Sequence, residues 1–193
     1  MPPKPRIIRF EFPPCPGRMF HQPKAFKNVV EIEVPAGKST DIVLGREQGK
    51  VHVPVPFLRP PEQKARGMPD FVSRVHGVLR VDNKGEHPEM QFIDKSTHGT
   101  GIGGLGIDDT RVLEGNLIRG DSHPIRHGHH IIFGTSVGLG SVPEGKPPNV
   151  AYLNYKTKHT DELRPGWFVR LKEGDKHKRV FLPHVRVTVH EKR

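Results

Sequence analysis

Cysteine is almost missing from this chain: Cys15 is the single one among 193 residues. One thiol closes no intramolecular disulfide, which agrees with a reducing intracellular setting, nucleus or cytoplasm. Aromatic residues are scarce as well, at 7%, with one Trp and two Tyr. No apolar run approaches the roughly 18 residues that a spanning helix needs, so no membrane partner is expected. Met1 to Arg6 has no apolar segment behind its charges, so a secretory signal is not expected. Long uninterrupted stretches are lacking too, because 21 Gly and 20 Pro punctuate the chain. That excludes helix bundles, coiled coils and solenoids of helix pairs.

What is present is lean and basic. Hydrophobic residues make up 33% and charged residues 27%, enough for a core if the chain is β-rich with long polar loops. The net charge is +10, and most of it lies at the two ends. Residues 1–50 hold 9 Lys and Arg against 5 Asp and Glu, as do residues 160–193, so the ends supply +8. Such a surface favours anionic partners without choosing among them.

Short alternating stretches broken by turn residues predict an all-β sandwich or barrel. Candidate strands carry Ile8, Phe10 and Phe12; Val30, Ile32 and Val34; Ile42 and Leu44; Val75, Val78, Leu79 and Val81; Met90, Phe92 and Ile93; Ile131 to Phe133; and Tyr152, Leu153 and Tyr155. Trp167 to Leu171 is expected to pair with Val185, Val187 and Val189, with Arg186, Thr188 and His190 outward. Residues 47–70 read as a Pro-stiffened loop, and 99–128, with eight glycines, as a long irregular connection. The expected organisation is an N-terminal extension with a strand over 1–28, a core domain over 29–156, and a basic C-terminal extension with a β-hairpin over 157–193.

Three clusters fall at strand ends in order: Gly45-Arg46, then Ser73-Arg74-Val75-His76, then Asp94-Lys95-Ser96-Thr97-His98-Gly99-Thr100. Strand ends gather at one pole of a sandwich, so these loops are expected to converge. Two guanidiniums, several hydroxyls and a histidine form a donor-rich set suited to phosphate.

With Ile42 to Arg46, Val72 to Gly77, Phe92 to Thr100 and His127 to Gly134 in this order, the chain resembles a forkhead-associated (FHA) domain over roughly residues 29–156. The resemblance implies an FHA-like β-sandwich, with additional strands at the N- and C-termini, that binds phosphothreonine peptides through loops at one end. It implies that Arg46 meets the phosphate, that Ser73 and Thr97 offer hydroxyls, and that Arg74 is a second phosphate donor. His98 stands where the family usually has Asn, which bonds the peptide backbone. Gly45, His76 and Gly99 support the binding loops. The chain departs from the family in three places: His98 itself, the 26 residues between Arg46 and Ser73, and the run from Thr100 to His127. The last two fall on the loops that set preference around the phosphothreonine, so no preference carries over.

Other readings are weaker. Ser73, His76 and Asp94 lack a nucleophile elbow and the strand geometry of a triad. Gly101 to Gly106 spells G-x-G-x-x-G without the flanking strand and helix of a dinucleotide site, and reads as a flexible loop. His123, His127, His129 and His130 have no neighbouring Cys and no Asp or Glu at a ligand spacing, so no metal is expected. The expectation is therefore a non-enzymatic module, without cofactor or small-molecule substrate, whose partner is a phosphothreonine-containing protein. A constitutive scaffold with a degenerate pocket, or weak nucleic-acid contact through the basic termini, is the alternative.

Overall fold

A computed structural model describes residues 2–13, 20–21, 26–58, 71–106, 110–136, 150–157, 160–173 and 176–192. The described chain is all strand and loop. Its strands are β1 (Arg6–Glu11), β2 (Phe20–His21), β3 (Val29–Val34), β4 (Ser39–Gly45), β5 (Val53–Pro54), β6 (Phe57–Leu58), β7 (Gly77–Asp82) and β8 (Glu89–Asp94). They continue with β9 (Thr100–Leu105), β10 (Arg111–Leu117), β11 (Ser122–Ile125), β12 (His130–Phe133), β13 (Val150–Thr157), β14 (Thr160–Glu173), β15 (Lys176–Phe181) and β16 (His184–Glu191). Among the described residues no helix is long and apolar enough to cross a membrane.

Two sheets form the body. One has the order β10-β9-β12-β16-β1-β3, the other β11-β8-β7-β4-β5. The period-2 pattern places Ile8 and Phe10 of β1, Ile42 and Leu44 of β4, Leu79 and Val81 of β7, and Met90 and Phe92 of β8 in one shared core. The opposite face of β1 carries a charge ladder, with Arg9 paired to Glu11 at 2.8 Å and to Glu31 at 3.4 Å. At such exposure each pair contributes about 1 kcal/mol or less. β13, β14 and β15 make a third sheet, and β2 with β6 a small fourth one.

Several sequence expectations change. The stretch 99–128 is not irregular: it holds β9, β10 and β11, and β9 is buried from Thr100 to Gly104. Glycine silenced the alternation that would have revealed the strand. It is needed there, because a Cβ at Gly103 would overlap the Trp167 ring. The literal G-x-G-x-x-G is thus mostly core strand, not loop. Trp167 to Leu171 does not pair with 185–189. β14 pairs instead with β15, from Phe168↔Phe181 to Glu173↔Lys176, and with β13. Leu182 and Pro183 break the chain between sheets, and β16 then inserts between β1 and β12. The two terminal strands β1 and β16 therefore sit side by side inside the larger sheet.

Smaller changes follow. Thr188, expected outward, is buried with its hydroxyl 2.9 Å from His190 Nε2, whereas Arg186 and His190 are exposed. β7 begins at Gly77, two residues past Val75. Within 47–70 the short strands β5 and β6 form, and residues 59–70 of that loop lie outside the described residues.

Candidate functional site

The five-stranded sheet explains which loops meet. β4, β7, β8 and β11 are antiparallel neighbours, in register through Leu44↔Gly77, Gly77↔Asp94 and Ile93↔Ser122. The C-terminal ends of β4 and β8 therefore share one edge with the N-terminal starts of β7 and β11. Arg46 leaves that edge after β4. Ser73 and Arg74 approach it before β7, Thr97 and His98 depart after β8, and Arg119 sits on the turn entering β11. All six line one open cleft of about 560 Å³.

The loops are tied to one another through the backbone. Arg46 N–H donates to the Ser73 carbonyl at 3.2 Å, and Glu47 N–H to the Arg74 carbonyl at 3.1 Å. This close approach requires Gly45, since a Cβ there would overlap the Arg74 carbonyl oxygen. The Arg46 side chain is half-buried and oriented twice. Its Nε–H donates to the Val72 carbonyl at 2.8 Å, and its guanidinium carbon lies 5.6 Å from the centroid of the Phe57 ring.

His76 lies beneath this surface, fully buried, and links three segments. Ser73 N–H donates to His76 Nδ1 at 3.1 Å, which fixes Nδ1 as the acceptor and puts the ring proton on Nε2. Nε2 lies 3.1 Å from Thr100 Oγ1, and that hydroxyl donates to Asp94 Oδ1 at 2.9 Å. Ser96 N–H donates to the same Asp94 oxygen at 2.9 Å. Burial holds the His76 pKa down at about 3, so the ring is neutral, while burial pushes the Asp94 carboxyl up. Thr100 stands between His76 and Asp94, and His76 meets the Ser73 amide. This is a brace, not a nucleophile–base–acid relay.

Ser73 itself is a junction. Its Oγ accepts the Thr97 N–H at 3.0 Å, leaving its hydroxyl proton to be donated outward. Thr97 is exposed and His98 half-buried. The His98 carbonyl accepts Ser136 N–H at 2.8 Å, and the carbonyl of Gly99, at φ 75°, accepts Gly134 N–H at 3.0 Å. The loop after β8 is thus pinned on both sides.

Three cations that the sequence reading gave no role also line the cleft: Lys50, Lys95 and Arg119. Glu47 pairs with Lys50 at 2.8 Å, and that bond holds the Glu47 carboxyl below its ordinary range. Lys95 stood within the Asp94–Thr100 block and needed only its solvent exposure to be noticed. Arg119 carried a weaker signal, the Arg-Gly-Asp turn inside a stretch read as irregular. The histidine group is dispersed. His130 accepts the Trp167 indole N–H at 2.9 Å, His129 lies 3.3 Å from Glu114, and His127 accepts Val189 N–H at 3.2 Å. Among the described residues no cluster of three or more His, Cys, Asp or Glu is placed to hold a metal ion.

Chemically, the cleft offers the oriented Arg46 guanidinium, further cations and the Ser73 and Thr97 hydroxyls, with Glu47, paired to Lys50, the one carboxylate among the described lining residues. Compared with protein-family models, curated proteins and solved structures, the chain matches none.

Proposed function

We propose that the cleft binds a phosphothreonine in an extended peptide, in the manner of an FHA domain, and that the protein mediates phosphorylation-dependent association without catalysis. The observation that carries this reading is the convergence of Arg46, Ser73, Arg74, Thr97 and His98 on one cleft. Their scaffold is held by His76, Gly45 and Gly99. A phosphate carries about −1.5 to −2 charges and three acceptor oxygens at pH 7. Arg46 and Arg74 supply the charge, and the Ser73 and Thr97 hydroxyls supply neutral donors. His98, in place of the family's Asn, meets the peptide backbone.

The test is a titration of phosphothreonine, phosphoserine and unphosphorylated versions of each peptide in a library, at fixed salt, against wild type and Arg46→Ala. Selective binding to phosphothreonine that weakens about 30- to 1000-fold in the variant supports the reading, since a phosphate left uncompensated costs about 2–4 kcal/mol. Equal binding to all versions overturns it.

One observation favours a second reading, nucleic-acid contact through the C-terminal hairpin. Arg170 of β14 lies directly opposite Arg179 of β15, and both are exposed. Like charges so paired repel until an anion lies across them. That reading requires an affinity that falls steeply with salt and is indifferent to Arg46→Ala.

A further inference from the structure

The cleft holds more positive charge than one phosphate uses. Its lining includes Arg46, Lys50, Arg74, Lys95 and Arg119 against the carboxylate of Glu47, which is engaged by Lys50. Among the described lining residues the formal sum is about +4, against about −1.5 to −2 for one phosphate. Arg46 and Arg74 belong to the two loops bonded at the Ser73 wall. Lys95 and Arg119 come from the other side, from the end of β8 and from the turn entering β11.

The Arg119 turn is built to stay in place. Asp121 N–H donates to the Ile118 carbonyl at 2.9 Å, closing a four-residue turn, and Ile118 N–H donates back to Asp121 Oδ2 at 3.1 Å. Gly120, at φ 99°, occupies the third position, where a left-handed backbone suits glycine. The turn then docks on the end of β8: Gly120 N–H donates to the Asp94 carbonyl at 3.0 Å, and Asp94 N–H to the Asp121 carbonyl at 2.9 Å. The carboxylate next to Arg119 is thus committed to its own turn, and the exposed arginine is carried on a support fixed beside Lys95. A preorganised cation loses less freedom on meeting an anion than one on a loose loop.

We propose that Arg119 and Lys95 form a second anion subsite, so that the preferred peptide carries another anionic group, a carboxylate or a second phosphate, near its phosphothreonine. This inference rests on the phosphothreonine reading of the cleft. The Arg46 and Ser73 wall sets dependence on phosphorylation, and the Arg119 and Lys95 wall sets which phosphorylated sequences are preferred.

The experiment is a set of fluorescent phosphothreonine peptides in which each flanking position in turn is Ala, Glu, phosphoserine or Lys. Affinities are measured for wild type, Arg119→Gln, the Lys95→Gln/Arg119→Gln pair, and Arg119→Glu. At one or two positions Glu or phosphoserine should strengthen wild-type binding about 5-fold over Ala, the size of a well-placed exposed ion pair. Arg119→Gln should reduce that advantage and the pair should abolish it, while the Ala-flanked peptide stays within about twofold. Arg119→Glu should transfer the advantage to Lys at the same position. Phosphoserine exceeding Glu would identify a second phosphate as the ligand, and equality a carboxylate. An advantage unchanged in every variant, or a uniform loss across all peptides, would overturn the subsite while leaving the phosphothreonine reading standing. Absence of phosphorylation-dependent binding by wild type would overturn both.

Discussion

Acid should unfold this protein through its histidines well before its carboxylates titrate. His76 and His184 are buried and held down by desolvation at about 3 and about 4, and burial lowers His130 further still. All three are neutral in the fold. The ordinary histidine value of about 6.5 applies once the chain unfolds. Between these limits the unfolded chain binds more protons than the folded one, so stability rises with pH and is lost as pH falls below about 6.5. At pH 5 the unfolded histidines are mostly protonated and the folded ones are not. Each then costs about 2 kcal/mol relative to pH 7.5, about 6 kcal/mol together as an upper figure. Set against a typical total of 5–15 kcal/mol, that is a large fraction. His129, lowered by burial and opposed by Glu114, adds in the same direction.

Ion-paired carboxylates do not mask the effect. Asp41, Glu47 and Glu191 are held down by their Arg80, Lys50 and Lys4 partners, so they lose stability only below the ordinary carboxylate range. Asp94 is raised by burial and works with the opposite sign, picking up its proton more readily in the fold as pH falls. The assay is urea unfolding at closely spaced pH values between 7.5 and 5, beside His130→Gln, which keeps an acceptor for the Trp167 indole but does not titrate. Near pH 5 the wild-type slope should approach three protons per molecule, about 4 kcal/mol per pH unit, and the variant should lose about one of them. A stability flat over this range, or a slope untouched by His130→Gln, would refute the assignment of these rings as buried and neutral.

Further outcomes follow from single contacts. Thr100→Val keeps the volume but removes the acceptor for His76 and a donor to Asp94. It should lower the unfolding free energy by about 2–3 kcal/mol in urea titration. Gly45→Ala forces a methyl against the Arg74 carbonyl; a loss of about 1–3 kcal/mol is expected, with phosphopeptide affinity weakened in parallel by isothermal titration. Trp167→Phe strands His130 Nδ1 and empties the space above Gly103. A drop of about 2–4 kcal/mol should appear in denaturation monitored by circular dichroism. Arg46→Lys loses the bond to the Val72 carbonyl and the planar fork, and should weaken phosphothreonine-peptide binding at least about tenfold without altering the midpoint of thermal unfolding by more than a few degrees.

The fold was legible wherever side chains alternate. β1, β3, β4, β7, β8, β12 and β16 each carry apolar residues at every second position, or an apolar run, and each formed. What hid β9 was the replacement of the alternating residues by Gly101, Gly103 and Gly104. The reason for at least one of these lies outside the strand, in an indole from residue 167. Pairing was less legible than strand formation. Trp167–Leu171 and Val185–Val189 both read correctly as strands, but alternation says nothing about partners. Only Leu182-Pro183, a break too short to look like a domain-level turn, sends the second of them into the other sheet.

The same distinction governs the cleft. Arg46, Ser73 and Thr97 were visible because each lies within four residues of a strand with a clear pattern, so an argument about strand ends reached all three. Arg119 is separated from Thr97 by β9 and β10, both obscure in sequence. Its position follows only once β11 is known to pair with β8 through Ile93↔Ser122. A residue that contributes to one wall of a site through sheet order, not through a motif, leaves no local signature. In this chain the residues proposed to meet phosphate were therefore readable from sequence. The wall proposed to choose among phosphorylated sequences is the part that only three-dimensional placement supplies. A charge swap at Arg119 tests that division directly: it should alter which flanking residue is preferred and leave the dependence on phosphothreonine intact.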